Sequence, residues 1–186
     1  EGTGIFTLAL TYLSIFYLLS DFGFNAFILR KIQDTRYKIQ LEWRKLLGAR
    51  ILWSTILLII ALLLLPFWPF ATPAFSQAIF VGCFAIIASG IFITSNLLFQ
   101  SRLRYDLSVI ASSLGTVIGL ILFIYLISQK ISLPYLLLSH LFGWFIIVLS
   151  SLFLVKKLIP IIFPIIDKQY TINLFKSSWQ IAGTLT

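Results

Sequence analysis

The sequence predicts an all-α integral membrane protein, a multi-helix bundle with five complete spans and the start of a sixth. Composition is the first observation: the 186 residues are 60% hydrophobic and 11% charged, with a mean hydropathy of +1.03. A soluble domain carries about 25% charged residues, and so few charges cannot cover the surface that a soluble fold of this length exposes. Uncharged runs of bilayer length are the second, the longest being the 51 residues from Ile51 to Ser101. Basic residues gathered in alternate loops are the third. The runs lack two-residue alternation, and lipid offers unpaired backbone no partner, so the spans are helices.

Each span follows from the charge punctuation and from the roughly 20 apolar residues a crossing needs. No charge falls between Gly2 and Ser20, which predicts a first span over 3–21. The long run holds two spans, 50–67 and 75–99, split by the proline-bearing stretch PFWPFATPAF at 66–75. Leu107 to Gln129 and Ile131 to Val155 are again uncharged and predict spans over 107–128 and 133–155. Residues 1–155 thus read as the transmembrane part. Residues 156–186 read as a cytoplasmic linker and the start of the next transmembrane helix near Leu174. The chain begins without Met and ends inside an apparently continuing segment, LFKSSWQIAGTLT, which predicts a piece of a longer protein.

The basic residues orient the bundle. Seven of the 14 Lys and Arg lie between the first two spans (Arg30, Lys31, Arg36, Lys38, Arg44, Lys45 and Arg50). Arg102 and Arg104 follow the third span, and Lys156, Lys157, Lys168 and Lys176 follow the fifth; Lys130 alone lies on the other side. By the positive-inside rule the loops 22–49, 100–106 and 156–173 are cytoplasmic. The expected location is a multi-pass protein of the cell (inner) membrane with membrane lipids as partners. The net charge of +8 follows from this topology and from attraction to anionic headgroups, not from nucleic acid.

The basic segment 30–50 reads as an amphipathic cytoplasmic helix on the membrane surface. Within IQDTRYKIQLEWRKLLGAR, Ile39, Trp43, Leu46 and Leu47 share one helical face, and Lys38, Glu42 and Lys45 lie elsewhere. Just before it, Asp21 ends the first span, Gly23 permits a kink, and Asn25 and Arg30 follow. Charged groups at the edge of a lipid-embedded bundle are functional candidates by default. The plainer roles are a helix cap for Asp21 and a headgroup contact for Arg30.

Several chemistries lose their footing here. Asp21-Phe22-Gly23 spells the metal-binding tripeptide of protein kinases, but the glycine-rich loop, VAIK lysine and HRD loop are missing. One Cys, Cys83, and one His, His140, exclude a disulfide framework and the common zinc sites. No carboxylate pair, nucleophile–base pair or phosphate-cradling loop lies in the spans. The expectation is therefore a non-enzyme with no metal and no cofactor. Inside the spans, Asn96 and Gln100 share a face with Ser89 and Ile93, Gly115 and Gly119 form a GxxxG pair beside Ser112, and His140 can titrate near neutral pH. Of the tryptophans, Trp68 is the expected interface residue.

The stretches GIFTLALTYLSIFYLLSDFGFNAFILRKI and WRKLLGARILWS, with a basic loop between them, resemble the Wzx-type polysaccharide and O-antigen flippases of the polysaccharide transport family. These belong to the superfamily of multidrug and oligosaccharidyl-lipid exporters. Gly4, the Leu19–Gly23 end and Arg30 carry the likeness, and NLLFQSRLRYDLSVIASSLGTVIGL, with Gln100, Arg102 and Tyr105, is similar to the fourth-to-fifth helix turn of that family. The resemblance implies helices two to six, most of the first six-helix lobe of a two-lobe alternating-access transporter, inactive on its own. It implies a lipid-linked oligosaccharide as substrate, moved from the cytoplasmic to the outer leaflet in surface polysaccharide biosynthesis. A glycan polymerase of the same pathway is a further implied partner. The alternatives are a multidrug or toxin exporter of the same superfamily, and a non-transporting or glycan-polymerising membrane protein.

A polyprenyl-pyrophosphate glycan needs a wet, cationic path, and Arg suits phosphate because its planar fork donates bidentately and stays charged. The candidate substrate-binding residues are Arg30, Asp21, Asn25, Asn96, Gln100 and Arg102, with Arg104 beside them. His140 is the candidate for ion coupling.

Overall fold

The computed structural model describes residues 2–21, 23–31, 36–69 and 71–182, with side chains described at all of these except positions 2–3, 26–27, 30–31, 36–38, 133 and 179–182. Every regular element among them is helical. In order these are α1 (Gly2–Asp21), α2 (Phe24–Lys31), α3 (Arg36–Leu64), α4 (Pro73–Gly82), α5 (Ala85–Ser101), α6 (Tyr105–Ser128), α7 (Leu133–Leu158) and α8 (Lys168–Ala182).

Five stretches are long and apolar enough to cross a membrane: Gly4–Asp21, Ile39–Phe67, Pro73–Ser101, Tyr105–Ser128 and Pro134–Leu158. They match the five expected spans, so the chain is a multi-pass membrane protein. Local chemistry sets their ends. A tight turn at Leu65–Phe67 carries Pro66 and stops α3; Thr72 then caps α4, its side chain accepting from the Phe75 N–H at 3.2 Å, with Pro73 in the first turn. The α4–α5 joint at Cys83–Phe84 is a single turn inside the third span.

Two expectations change. The basic segment after Arg36 is not a separate surface helix, because α3 runs unbroken from Arg36 to Leu64. Its apolar face was read correctly, but the partner is protein: Trp43, Leu46 and Leu47 are buried, and the Trp43 indole donates to the Thr94 carbonyl of α5 at 2.9 Å. The helix after the fifth span starts at Lys168 rather than near Leu174, because Asp167 caps it. The Asp167 carboxylate accepts from the Tyr170 backbone N–H at 2.9 Å.

The interior has two apolar cores. The first joins Tyr12, Leu13 and Phe16 of α1 to Leu57 and Ala61 of α3, Phe75 and Ile79 of α4, Ile86 of α5 and Leu137 of α7. The second joins Phe24 and Ile28 of α2 to Trp43, Leu46 and Leu47 of α3, Leu97–Phe99 of α5, Val155 of α7 and Leu174 of α8. Four paths along the chain join one core to the other: α1 into α2, α3, α5 and α7. The first three carry through the gap the polar residues described below.

Against this, α6 packs on α7 with almost no side chain between. A β-carbon on Gly115 would stand 2.5 Å from the Gly143 carbonyl oxygen, and one on Gly119 would stand 3.2 Å from the Gly143 α-carbon. The GxxxG pair of α6 is a close helix contact, as its spacing predicts, and Gly143 is its partner.

Candidate functional site

A polar layer separates the two cores where α1, α2, α3 and α5 meet. Its centre is Arg50, whose side chain is fully buried. Arg50 Nη1 lies 3.3 Å from Asp21 Oδ1, and Nη2 lies 3.4 Å from the same oxygen and 3.0 Å from Asn25 Oδ1. The Asn25 amide in turn donates to the Ile93 carbonyl of α5 at 2.9 Å. One turn along α3, the Ser54 hydroxyl meets that of Ser20 at 3.0 Å. Gly90 closes the third side: a β-carbon there would press on Ser54 Oγ and lie 3.3 Å from Arg50 Cγ. A larger residue at 90 would hold α5 away from the other two helices.

The distance of this layer from Phe67 and Pro73 follows from helix geometry. Arg50 is 17 residues from Phe67 and Gly90 is 17 residues from Pro73, about 26 Å along each helix at 1.5 Å per residue. The hydrocarbon slab is about 30 Å thick. Both residues lie within stretches long and apolar enough to cross a membrane, Ile39–Phe67 and Pro73–Ser101.

The guanidinium keeps donors in reserve. It has five N–H groups, and three of them point at the acceptors above. Nε is buried and has no partner among the described residues. The Asp21 bonds are long, and the Asp21 side chain is 50% exposed, so the cation is buried while its counter-charge reaches the outside. A ring face completes the pocket: the Phe24 centroid lies 5.4 Å from Arg50 Cζ, within cation–π range.

Of the residues expected from the sequence, Asp21 and Asn25 come together here. Arg30 lies on α2, but its side chain is outside the described residues. Asn96 and Gln100 are half-buried on α5 and make no hydrogen bond to the Arg50 group among the described residues; Asn96 Oδ1 is buried without a partner there. Arg102 ends α5 with a buried Nε equally unpartnered. Arg104 is exposed and paired with Asp106 at 2.9 Å. Phe22 of the kinase-like tripeptide is outside the described residues, and Asp21 serves Arg50.

His140 sits apart, on α7. Its Nε2 lies 2.9 Å from the Tyr17 hydroxyl and accepts from the Trp144 indole N–H at 3.2 Å. An indole N–H only donates, so these contacts place the ring proton of a neutral His140 on Nδ1. Phe92 of α5 packs on Trp144 with centroids 6.2 Å apart, so the group joins α1, α5 and α7. A cavity of about 370 Å³ opens beside it, lined mainly by apolar side chains and the α6–α7 glycines.

Sequence reasoning missed Arg50 itself, which counts as one more basic loop residue under the topology rule. The available signal was its place as the last charge before 51 uncharged residues.

A protein-family comparison matches the model described as "Polysaccharide biosynthesis protein" over residues 1–185. The chain belongs to that family, the family of the Wzx-type flippases. A comparison with curated proteins gave no match, and one with solved structures gave none. Membership bears out the resemblance carried by the first span's end and the α5–α6 turn. Family members are in general non-enzymatic transporters acting in polysaccharide biosynthesis.

Proposed function

We propose that the protein is a flippase: it moves a polyprenyl-pyrophosphate-linked oligosaccharide from the cytoplasmic to the outer leaflet by alternating access, with the basic loops in the cytoplasm of a cell-membrane protein. Family membership supports the substrate class. The observation that carries the reading is Arg50, a fully buried cation within a membrane span, with donors left over after Asp21 and Asn25 are served. A charge buried inside a lipid-embedded bundle is costly to desolvate, and in membrane proteins such residues mark substrate or ion paths. A pyrophosphate is the ligand that spare guanidinium donors fit.

The arrangement also explains why a cation can sit in lipid-embedded protein without a ligand. Asp21 balances the charge in the closed state, and its slack bonds can be exchanged for phosphate oxygens. Arg30 and Arg102 are the further phosphate contacts this reading proposes, and His140 its ion-coupling residue. No covalent chemistry is required.

The test is genetic and chemical. Deleting the gene in its host should cause lipid-linked oligosaccharide to accumulate on the inner leaflet, and the full-length wild-type gene should clear it. Arg50→Met should fail to clear it while reaching wild-type levels in the membrane. Absence of accumulation in a host with no second flippase overturns the reading, and drug-efflux assays then test the exporter alternative.

A further inference from the structure

Helix α8 and the segment before it are fastened to the Arg50 layer from outside. Between α7 and α8 the chain runs along the first turns of α3. Ile165 N–H donates to the Arg44 carbonyl at 3.0 Å, and Arg44 Nε donates to the Phe163 carbonyl at 2.8 Å. Lys45 pairs with Asp167 at 2.8 Å, and the Tyr170 hydroxyl donates to Glu42 at 3.0 Å. Gly48 makes room, since a β-carbon there would collide with the Ile165 carbonyl. This strap delivers Phe175 into a notch between two rings. Phe175 meets Phe24 edge-on, with centroids 5.0 Å apart at 89°, and Trp53 at 4.9 Å and 71°.

Both rings belong to the charged layer. Phe24 lies against the Arg50 guanidinium. The Trp53 indole donates to the Leu19 carbonyl at 2.9 Å, two residues before Asp21. One side chain of α8 therefore braces the ring that covers the cation and the ring that tethers the segment carrying its counter-charge.

We propose that Phe175 is a positioning residue for Arg50: through Phe24 and Trp53 it holds the guanidinium in its closed pair with Asp21, and displacement of α8 opens Arg50 to an anionic ligand. The inference rests on the reading of Arg50 as part of the transport path. The strap is the part built to yield. Its bonds run between groups partly open to water, where ion pairs contribute little, whereas the cores on either side are fully packed. A movement of α8 can then break the strap and withdraw Phe175, taking Leu174 out of the second core while leaving the first core untouched.

Arg50 reactivity reads this directly. Phenylglyoxal labelling of the full-length protein in native membranes, followed by mass spectrometry, gives the rate at Arg50 with exposed Arg104 as internal standard. In wild type, Arg50 should label at least tenfold more slowly than Arg104. Phe175→Ala should raise the Arg50 rate about fivefold or more and leave Arg104 unchanged, and Phe175→Tyr, which keeps the ring, should restore the slow rate. Lys45→Met, and Asp167→Asn, which keeps the cap on Tyr170, should each raise it, and the double variant should raise it no further than either alone; this arm decides the matter should Phe175→Ala fail to fold. An Arg50 rate equal to that of Arg104 in wild type, or one indifferent to all these changes, overturns the proposal. Glycan movement measured in parallel separates the two readings. Labelling as expected with no movement in wild type removes the flippase and leaves the coupling, whereas intact movement with indifferent labelling does the reverse.

Discussion

The α6–α7 crossing and the α1–α3–α5 junction are both closed through glycine, yet one is dry and the other charged. At the crossing, Gly115, Gly119 and Gly143 bring two backbones into contact. In lipid such a contact is held by packing, because the surrounding tails are as apolar as the protein. At the junction, Gly90 closes α5 onto a buried arginine, an asparagine and a pair of serines. That arrangement carries a desolvation cost the crossing avoids, and well-packed apolar side chains commonly equal or exceed such a pair in stability. The difference teaches that close packing alone needs no charge, so the charge at the junction calls for a separate account, which the proposed transport role supplies.

The largest expected effect tests that statement at the junction. Asp21→Ala strands a buried guanidinium and should cost about 3 kcal/mol, the low end for a broken buried pair because Asp21 is half exposed. Arg50→Met fills the same space with an apolar chain and leaves Asp21 to water. It should change stability by less than about 1.5 kcal/mol and still lower flipping at least tenfold, about 1.4 kcal/mol in the barrier. Thermal unfolding in detergent and a glycan-accumulation assay read the two quantities. Equal stability losses for both variants would mean that the pair is structural.

The crossing should behave in the opposite way. Gly115→Ala places a methyl group against Gly143 and Ile147 and should cost about 2 kcal/mol by overpacking. Flipping per folded molecule should stay at the wild-type level. Gly4→Ala, where the added carbon meets nothing within 4 Å, should be neutral or slightly stabilising, as expected for glycine replaced in a helix. Loss of flipping in Gly115→Ala molecules that remain folded would erase the distinction between the two regions.

The two regions also differ in how well the sequence announced them. Spacing marks Gly115 and Gly119, and their contact was legible; Gly143 was not, since a lone glycine in LFGWF has no partner at helical spacing. The five crossings were legible because each holds an uncharged run of bilayer length, even though α3 continues through several charges back to Arg36. The surface-helix reading of 30–50 fell short for a physical reason. An apolar stripe with Trp43, Leu46 and Leu47 looks the same whether it meets headgroups or protein, and only the fold shows Thr94 waiting for the indole. Arg50 was hidden by a rule that explains basic residues collectively. Positive-inside counting treats Arg50 and Arg104 alike, yet one is fully buried and the other exposed and paired locally.

The smallest effect is in acid, and it sharpens the contrast between the buried Arg50–Asp21 pair and the open Lys45–Asp167 pair of the strap. The bond from Lys45, and then the capped Tyr170 N–H, hold the Asp167 carboxyl below the usual carboxylate range. A carboxyl depressed on folding contributes stability that is fully present above its unfolded value, about 3.9, and that is lost as pH falls through the lower folded value. The strap should therefore be closed at neutral pH and loosen only in strong acid. Hydrogen-exchange protection factors for residues 163–170, which remove the intrinsic pH dependence of exchange, should fall in acid for wild type. Asp167→Asn keeps the cap without the charge and should be less protected at neutral pH but insensitive to acid. Identical acid profiles for the two would show that the cap alone holds α8 in register, and that the charge on Lys45 adds nothing to the strap.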